Sequence, residues 1–480
     1  MSSRDGEQRG TVVLCVLRGI SRRTQRQKRL NAEAAEVAEF AEKSGALNLE
    51  RSRHCRHSTS TSPFQSVSVF CLPFTHPRVR VGTERTIAQV IVGVPKESYP
   101  GERRVALVPL VIPNLTKAGL EVVVQSGAGE QAGYPDAAYV DKGAKIVPDR
   151  AAVFNTADIV VQVLCYGSND VTGKADLPLY RRGQALIGFL RPFGSAEVVQ
   201  EIAQSGVTSF SVELMPRTTR AQSMDALSSM ATVCGYKAVL LAAETSPRIF
   251  PMMTTAAGTI TPARVFVIGA GVAGLQAIST ARRLGAVASA YDMRPAAKEQ
   301  VQSLGGRFVE LPIEAQNAQD ARGYGTAQDE SFYARQRELL TRVVAESDIV
   351  ISAAVIPGKK SPVLITADMV KGMAPGSVIV DLAAERGGNC ELTRMGETVQ
   401  AHGVSIIGAI NLASSVPYHA SQMYARNLTT YLTYMVKDGK LQVNAQDEIV
   451  RETLITQGGE IVNARVREFF KLPALVPSGH

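Results

Sequence analysis

The sequence predicts an α/β protein with two doubly wound domains and a cleft between them. Three observations support this fold class. Short apolar segments rich in β-branched residues alternate with helical patterns over residues 90–407, which favours mainly parallel sheets. A strand, a glycine turn and a helix follow one another over residues 264–284. A late helical pattern at residues 423–436 is suited to return to the first domain, which makes that domain discontinuous.

At 480 residues the chain exceeds one ordinary domain, and its apolar fraction of 45% is sufficient for packed cores. We expect a leader or disordered extension over residues 1–85 and an N-terminal α/β domain from residues 86–226 plus 415–472. The second domain, which carries the glycine turn, is expected over residues 227–414.

The charge is concentrated in the leader. Residues 1–85 carry +7 of the net charge of +8, so the folded body is nearly neutral and does not predict nucleic-acid binding. An Arg cluster and the Ser/Thr run at 58–62 favour an organelle transit peptide, whereas four Glu residues disfavour it. A targeting peptide and a disordered extension both remain open. The Arg/Lys cluster comprises Arg22, Arg23, Arg26, Lys28 and Arg29, and the acids are Glu33, Glu36, Glu39 and Glu42.

The six cysteines are scattered without a CxxC pair, which predicts reduced thiols and no zinc site. No run of about 18 apolar residues occurs, so the chain itself is not expected to contain a transmembrane helix.

In the first domain each predicted strand is a short apolar run bounded by turn residues. A polar turn over residues 95–104 follows the first strand, and a helix is expected over residues 114–119. The strands are predicted at residues 90–94, 105–108, 121–125, 157–163, 186–189 and 208–212.

In the second domain the strand at residues 265–268 leads into Gly269, Gly271 and Gly274, which have GxGxxG spacing. The first glycine permits the tight turn, the second lets the backbone approach a pyrophosphate, and the third allows close packing of helix on strand. The helix is predicted over residues 275–284, and its N-terminus attracts phosphates. The pattern predicts a Rossmann-like dinucleotide site.

Asp292 ends the next predicted strand, residues 286–291, and lies eighteen residues after Gly274. An acid at about this distance accepts the ribose hydroxyls of NAD and repels the 2′-phosphate of NADP. The position therefore predicts NAD(H), although Arg294 nearby weakens the discrimination.

The remaining elements complete two sheets. A helix over residues 225–243 is expected to connect the domains. Residues 314–331 are polar and interrupted by glycine, which predicts a surface loop long enough to be a lid. The last strands are predicted at residues 349–353, 378–382 and 404–407.

Five ordered motifs resemble one known family. They are VGVPKESYPGERRVALVP (92–109), MPRTTRAQSMDALSS (215–229), FPMMTTAAGT (250–259), VIPGKKSPVLIT (355–366) and DLAAERGGNCELT (381–393). Over residues 87–472 the chain resembles the NAD(H)-binding domain, domain I of the alpha subunit, of proton-translocating, Re/Si-specific NAD(P)+ transhydrogenases. The alanine dehydrogenase family is a near relative that shares the fold and the first motif.

The resemblance implies direct hydride transfer from NADH on this chain to NADP+ held by a separate NADP(H)-binding domain. It further implies coupling to proton movement through a membrane domain, a homodimer, and a peripheral position on an organelle inner membrane, the mitochondrion being the expected one.

The resemblance also implies the site residues. Those at the nicotinamide are Arg217, Gln222 and Asp225, with Ser228 one helical turn further on. The residues alone favour a surface loop in which Ser223 or Asp225 caps a helix. The remaining implied cofactor contacts are Val272, Ala273, Gly274, Asp292, Met293, Arg294, Gly323, Tyr324, Gln336 and Val355.

For two of these contacts a structural alternative stays open, since Gln336 also suits a solvated helix position and Val355 a packed strand end. Gly323 and Tyr324 match a mobile loop of the family, but one residue is missing there relative to the family pattern.

Two alternative functions remain. An alanine dehydrogenase needs a base and a cation near its substrate, and its Lys and His align with Leu164 and Arg191 here. Arg104, which faces a substrate carboxylate in that family, is retained. The other alternative is a non-catalytic NAD-binding module. Hydride transfer between two nicotinamides needs alignment rather than a proton-handling side chain, and His402 and His419 lie outside the cofactor motifs.

Overall fold

The computed structural model describes residues 89–311, 326–356, 358–437 and 439–473. The described residues belong to one compact unit, Thr83–His480. They form two large sheets, each covered by helices, which we call the first lobe and the second lobe. The leader predicted over residues 1–85 lies outside the described residues, and the predicted domain boundaries stay predictions.

The first lobe is built on an eight-stranded sheet of the described residues, in the order β3-β2-β1-β4-β5-β6-β18-β19. The six strands from β3 to β6 pair in parallel, whereas β18 and β19 are antiparallel. The strands are β1 Val90–Val94, β2 Leu120–Gln125, β3 Lys145–Val147, β4 Ile159–Leu164, β5 Ala185–Phe189, β6 Thr208–Ser211, β18 Leu454–Gln457 and β19 Glu460–Ile461.

The second lobe is built on a seven-stranded sheet of the described residues, in the order β11-β10-β9-β12-β13-β15-β14. All neighbours are parallel except β14 and β15. These strands are β9 Arg264–Ile268, β10 Val287–Tyr291, β11 Arg307–Phe308, β12 Ile349–Ser352, β13 Val378–Asp381, β14 Thr398–Ala401 and β15 Val404–Gly408.

Twelve α-helices of the described residues and two short hairpins complete the fold. The hairpins are β7 Met253–Thr255 with β8 Gly258–Ile260, and β16 Val436–Lys437 with β17 Lys440–Leu441. The helices are α1 Ile112–Lys117, α2 Asp136–Val140, α3 Arg150–Thr156, α4 Ala196–Gln204, α5 Ala226–Thr245, α6 Val272–Arg283, α7 Ala297–Ser303, α8 Glu330–Ala345, α9 Ala367–Lys371, α10 Pro417–Met435, α11 Glu448–Thr453 and α12 Ala464–Phe469.

Both sheets have the doubly wound strand order, in which the second half of the chain crosses to the opposite side of the first strand. The order reverses between β1 and β4 in the first lobe and between β9 and β12 in the second. The strands beside each reversal are buried on both faces, as helix-covered parallel sheets require. The predicted fold class is therefore confirmed.

Helix α5 connects the lobes and belongs to both cores. Ala226, Met230 and Val233 lie in the first-lobe core, whereas Ala238 and Ala242 lie in the second-lobe core. This position explains why the apolar residues of the helix are not confined to one face. Among the described residues it is the one helix with the length and mean hydropathy, 1.4, of a candidate membrane span. Because it packs into two cores, its composition alone does not indicate a span.

The chain returns to the first lobe through α10. Tyr424, Leu428 and Tyr431 of this helix are fully buried in the first-lobe core, and β18 then pairs with β6. The helix begins at Pro417, six residues before the predicted start, since proline is favoured at the first helical position.

The strand predicted at residues 105–108 is wrong. These residues are fully buried but lead into a 3-10 turn, Pro109–Val111. Side chains satisfy their backbone instead of a sheet: the Val105 amide donates to the Ser421 hydroxyl, and the Leu107 carbonyl accepts from the Tyr139 hydroxyl. An apolar run in a sequence indicates burial, but it does not indicate whether the backbone hydrogen bonds go to a neighbouring strand or to side chains.

Candidate functional site

The glycine turn lies at the strand-order reversal of the second sheet, between β9 and α6. Gly269 has φ +95°, and an added Cβ would lie 3.0 Å from the Ala353 backbone, which follows the neighbouring strand β12. At Gly274 an added Cβ would lie 1.9 Å from the Gly269 carbonyl oxygen. These two glycines are therefore required by the fold itself.

Gly271 differs from them. Its φ is −76°, and an added Cβ would meet no atom within 4 Å among the described residues. No described side chain caps the N-terminus of α6, so the first-turn amides of Val272, Ala273 and Gly274 remain available to a ligand. Open space beside uncapped amides fits the pyrophosphate of a dinucleotide.

Asp292 directly follows β10 and contacts this turn. Its Oδ2 accepts from the Ala270 amide at 2.7 Å and from Nη2 of Arg294 at 2.8 Å. Its Oδ1 accepts from the Arg294 backbone amide and Nε, at 2.8 and 2.9 Å. The carboxylate therefore joins the glycine turn to Arg294. Met293 lies between the two residues and is half-buried.

Val355 lies on the other side of the reversal, in the loop after β12. The preceding Ala354 is held by Asn389, whose Oδ1 accepts from the Ala354 amide at 3.1 Å and whose Nδ2 donates to its carbonyl at 2.9 Å. Asn389 is itself fixed by the fully buried Asp381, which accepts from the Asn389 amide at 2.7 Å. The two residues before Val355 contact the glycine turn, since a Cβ added at Gly269 would lie 3.0 Å from backbone atoms of Ala353 and Ala354. Val355 itself is half-buried.

Neither Asn389 nor Asp381 was among the predicted site residues. The signal for Asp381 was present in the sequence, since it ends a buried strand of the second sheet. The role of Asn389 depends on a backbone 35 residues away in the chain. No sequence pattern shows that contact.

The segment 217–225 precedes α5, and α5 continues from it into the core of the second lobe. Gly235 of α5 packs against α6 so closely that an added Cβ would lie 2.1 Å from the Ala273 carbonyl oxygen. Ten residues of helix, about 15 Å, separate Asp225 from this contact. The predicted nicotinamide residues and the predicted phosphate residues are therefore joined by one rigid helix.

Within this segment Asp225 caps α5. Its Oδ1 accepts from the Ser228 amide at 2.8 Å, and its Oδ2 accepts from the Ser228 hydroxyl at 2.6 Å. Asp225 therefore caps the helix, as the alternative from the residues alone predicted. Its contact with the cofactor stays a proposal. Arg217 and Gln222 are exposed on the same segment.

Gln336 lies on α8 and is 3% exposed, so the solvated position considered for it is wrong. Its amide bonds the hydroxyl of Tyr291, whose pKa burial raises to about 12. Its Oε1 has no hydrogen-bond partner within the described part of the chain. Gly323, Tyr324 and most of the predicted lid lie outside the described residues.

The first lobe contributes a buried ionic cluster at its own strand-order reversal. Arg104 donates from Nε and Nη2 to the two carboxylate oxygens of Glu102, at 2.8 and 2.6 Å, and from Nη2 to Oδ1 of Asn411 at 2.9 Å. Asn411 donates to Glu102 from Nδ2 at 3.0 Å, so three side chains from both lobes form a closed set. Burial opposes the charge on Glu102, but Arg104 holds its pKa below the usual range.

Sequence reasoning also missed Glu97. Its carboxyl is bonded by the Val163 amide at 2.6 Å and the Leu164 amide at 3.2 Å, at the end of β4. Burial, with a smaller effect from Glu102, raises the pKa of Glu97 to about 8.

The chain matches two models of one protein family. Residues 93–234 match "Alanine dehydrogenase/PNT, N-terminal domain", and residues 238–464 match "Alanine dehydrogenase/PNT, C-terminal domain". Together the matched ranges span most of the chain.

Curated relatives agree with these matches. The first portion of the NAD(P) transhydrogenase alpha subunit of Rhodospirillum rubrum is 45% identical over 375 residues, covering 78% of this chain and 97% of the relative. The protein of the same name from Rickettsia prowazekii is 41% identical over 377 residues, with coverage of 78% and 97%. Alanine dehydrogenase of Bacillus subtilis is 30% identical over 386 residues, covering 78% of this chain and 92% of the enzyme.

Solved structures give the same two groups. A transhydrogenase from Sinorhizobium meliloti superposes with a TM-score of 0.67 at 42% identity, covering 78% of this chain and 99% of that structure. An L-alanine dehydrogenase superposes with a TM-score of 0.66 at 25% identity, with coverage of 80% and 99%.

Proposed function

The chain belongs to the alanine dehydrogenase/PNT family, and on this basis we propose that it is the NAD(H)-binding part of a proton-translocating NAD(P)+ transhydrogenase. In this proposal NADH on this chain gives a hydride to NADP+ on a separate NADP(H)-binding domain. The higher identity to transhydrogenase alpha subunits than to alanine dehydrogenase favours this member of the family.

One structural observation carries the proposal. The N-terminus of α6 is uncapped, and open space lies at Gly271. The glycine turn before it contacts Ala353 and Ala354, and α5 joins the segment 217–225 to α6 through the Gly235–Ala273 contact. A dinucleotide held by its phosphates at α6 has one nucleoside on each side of that contact. This arrangement supports our assignment of the phosphates to α6, of the ribose to Asp292 and of the other end of the cofactor to the polar segment 217–225.

Each set of residues has a separate task in this proposal. The amides of Val272, Ala273 and Gly274 hold the pyrophosphate. Asp292, Met293 and Arg294 hold the adenosine ribose, and Val355 and Gln336 are further cofactor contacts. Gly323 and Tyr324, which lie outside the described residues, are assigned as contacts from the family resemblance alone. Arg217, Gln222, Asp225 and Ser228 orient the nicotinamide half.

The chemistry comes from the cofactor, whose nicotinamide supplies the hydride. The task of this chain is alignment and exclusion of water, since direct transfer requires the two rings at near-attack distance. No side chain has to accept or donate a proton in this step. The Re/Si stereospecificity, the coupling to proton movement and NADP(H) on a partner domain are parts of the proposal that rest on the relatives.

Partners and location follow from the same proposal. A transhydrogenase needs the NADP(H)-binding domain and a proton-translocating membrane domain, so we propose that this chain acts as a peripheral component of that assembly, as a homodimer. An organelle inner membrane, with the mitochondrion as the expected one, is the proposed location.

Alanine dehydrogenase activity is disfavoured by the first-lobe cluster. Arg104 is 5% exposed, and Glu102 and Asn411 both accept from its guanidinium. A substrate carboxylate would have to displace Glu102 from a buried bidentate pair, which is costly. Leu164 and Arg191 at the Lys and His places supply no neutral base.

The decisive experiment combines the full chain with NADH and the NADP(H)-binding domain of a relative that carries an NADP+ analogue with distinct absorbance. We expect hydride to reach the analogue in a single turnover. NADH binding without transfer, in the presence of a domain shown to be competent with its own partner, would leave a non-catalytic NAD-binding module. Formation of NADH from NAD+ and L-alanine, without the NADP+ analogue, would instead show that the chain is an alanine dehydrogenase.

A further inference from the structure

The segment 217–225 is attached to the C-terminal part of the chain. It has no place in either sheet, and a short 3-10 turn, Gln222–Met224, is its one regular element. Ala221 and Met224 are buried in the first-lobe core beside α10, at 0% and 5% exposure. Arg217 and Gln222, by contrast, are exposed. Buried anchors therefore alternate with the residues proposed to orient the nicotinamide.

Asn427 on α10 makes the first polar anchor. Its Nδ2 donates to the Ser223 carbonyl at 2.8 Å, across 204 residues of sequence. The side chain is 8% exposed, and its Oδ1 has no partner among the described residues. The Ser223 carbonyl is thus the contact that orients this buried amide, and it holds the backbone between Gln222 and Asp225.

Arg220 makes the second anchor. Its Nη2 lies 3.0 Å from Oδ2 of Asp447, and its guanidinium lies 5.8 Å from the centre of the Tyr434 ring. Asp447 is fixed in turn, because the Tyr434 hydroxyl donates to its Oδ2 at 2.5 Å and its Oδ1 caps α11. The segment is therefore held at two neighbouring positions, Arg220 and Ser223.

We propose that Asn427 is a positioning residue for the 217–225 segment, with the Arg220–Asp447 pair as a second anchor, so that the returning C-terminal helix sets the place from which Arg217, Gln222 and Asp225 act. This inference rests on the proposed function. A loop without sheet contacts moves easily, and a displacement of about 1 Å near reacting groups reduces a rate by roughly 100-fold. The anchors limit that movement while the NADH phosphates are held elsewhere, at α6.

The test uses Asn427→Asp and Asn427→Ala in the full chain. The first keeps the side-chain volume but replaces the donor by an acceptor that faces the Ser223 carbonyl, and the second removes the amide. We expect NADH affinity within about twofold of the wild type and single-turnover transfer slower by roughly 10- to 100-fold. Thr430→Ala is the matched control, since Thr430 is half-buried on the same helix and its hydroxyl bonds only that helix among the described residues.

A double-mutant cycle separates positioning from general damage. If Asn427 acts through the segment, Asn427→Asp slows transfer by a smaller factor in the Gln222→Ala background than in the wild type, because the contact of Gln222 is already lost there. Three results would overturn the proposal. The rate losses of Asn427→Asp and Gln222→Ala could multiply in the double variant, the Asn427 variants could lose NADH affinity as much as rate, or Thr430→Ala could slow transfer as much as they do. Should both Asn427 variants fail to fold, Arg220→Gln tests the second anchor, because the Arg220 side chain is 55% exposed.

Hydrogen exchange tests the anchor without any partner domain. Amides of Ala221, Met224 and Asp225 are bonded within the segment, and in the Asn427 variants we expect them to exchange at least about tenfold faster while amides in the middle of α5 keep their rates. Unchanged exchange overturns the anchor. If the wild-type protein transfers no hydride to a competent partner, the proposed function is overturned instead. The hydrogen-exchange measurement then still shows whether Asn427 holds the segment.

Discussion

Asp292 shows how much one side chain at a strand end connects. Its two oxygens accept from the backbone of the glycine turn and from both the backbone and the guanidinium of Arg294. The contact with Asp292 raises the pKa of the Arg294 guanidinium, which keeps that group charged. A carboxylate offers about four acceptor positions, and these donors occupy them. We expect ribose hydroxyls to replace Arg294 donors when NADH binds.

The first prediction follows from this exchange. Asp292→Ala should weaken NADH binding by roughly 1–3 kcal/mol, because charge-assisted hydrogen bonds to the ribose are lost. Calorimetry measures the change, with Asp292→Asn as the control that keeps one acceptor oxygen. An affinity equal to that of the wild type would contradict the ribose assignment.

Glu97 is a residue whose behaviour depends on burial. It accepts two backbone amides, which favours the charged form, yet burial raises its pKa to about 8 from an ordinary value of 4.5. Between these two values the folded chain holds a proton that the unfolded chain has released. The stability of the folded state therefore falls as pH rises through this range.

The second prediction is that Glu97→Gln removes this dependence. The free energy of unfolding of the wild type, relative to that of the variant, should decrease between pH 5 and pH 8, because unfolding the wild type releases the Glu97 proton in this range and the glutamine variant has none to release. Denaturant unfolding at four pH values measures the difference. A constant difference across the range would show that the carboxyl is already ionised at pH 5.

At the scale of elements, the strand–turn–helix motif contains glycines with different tasks. Gly274 contacts the Gly269 carbonyl so closely that any side chain collides, whereas Gly271 faces open space with an ordinary φ. The fold depends on the first contact. In the proposed function, the pyrophosphate occupies the free space at Gly271.

The third prediction uses this contrast. Gly271→Ala should leave the free energy of unfolding within about 1 kcal/mol of the wild type. It should weaken NADH binding at least about tenfold, since the methyl group enters the space of the pyrophosphate. Gly274→Ala, the comparison variant, should lose roughly 1–3 kcal/mol of stability or more through overpacking. Undiminished NADH binding by Gly271→Ala would place the phosphates elsewhere.

The fourth prediction concerns the segment before α5. Gln222→Ala should slow hydride transfer more than it weakens NADH binding, because an orienting contact acts mainly on the reacting geometry. Single-turnover kinetics and calorimetry give the two numbers, and Thr219→Ala, exposed on the same segment, is the control. Equal losses of rate and affinity would mean that the segment only binds.

At the scale of the whole molecule, the two lobes repeat one design. Both sheets have the doubly wound order. In each lobe an aspartate directly before the fourth strand along the chain accepts from an amide of the first strand along the chain. Asp158 accepts from the Ile91 amide at 2.9 Å, and Asp348 accepts from the Arg264 amide at 2.8 Å. The sequence shows no repeat of fixed period, because spacing between equivalent elements differs while the hydrogen bonds correspond.

The fifth prediction tests the whole chain against its nearest alternative. With NAD+ and L-alanine the protein should form no NADH above background, because Arg104 is held by Glu102 and Asn411 and the Lys and His places hold Leu164 and Arg191. Absorbance and ammonia assays measure the reaction, with an authentic alanine dehydrogenase as positive control. Alanine-dependent NADH formation with ammonia release would reverse the choice between the two branches of the family.

Much of the fold was predictable because its signals are local. The GxGxxG turn and the buried strands on both sides of it are written in consecutive residues, so β9, α6 and β10 were expected within three residues of their observed ends. The strand prediction at 105–108 was wrong because the apolar run indicates burial but not the partners of its backbone. Those partners, Ser421 and Tyr139, are distant in sequence. The solvated position considered for Gln336 was wrong for a similar reason. The Tyr291 hydroxyl that its amide bonds is distant in sequence, so the helical pattern gave no sign of its burial.

The sequence by itself determined the α/β class, the glycine turn, the acid at Asp292 and the family resemblance, because each depends on spacing along the chain. Only the tertiary structure decided that Asn389 holds Ala354, that Glu97 is buried at the end of β4, and that Asn427 reaches Ser223. These contacts join residues 35, 66 and 204 positions apart. Such pairs meet only after the sheets and α10 have packed, and periodicity carries no information about them.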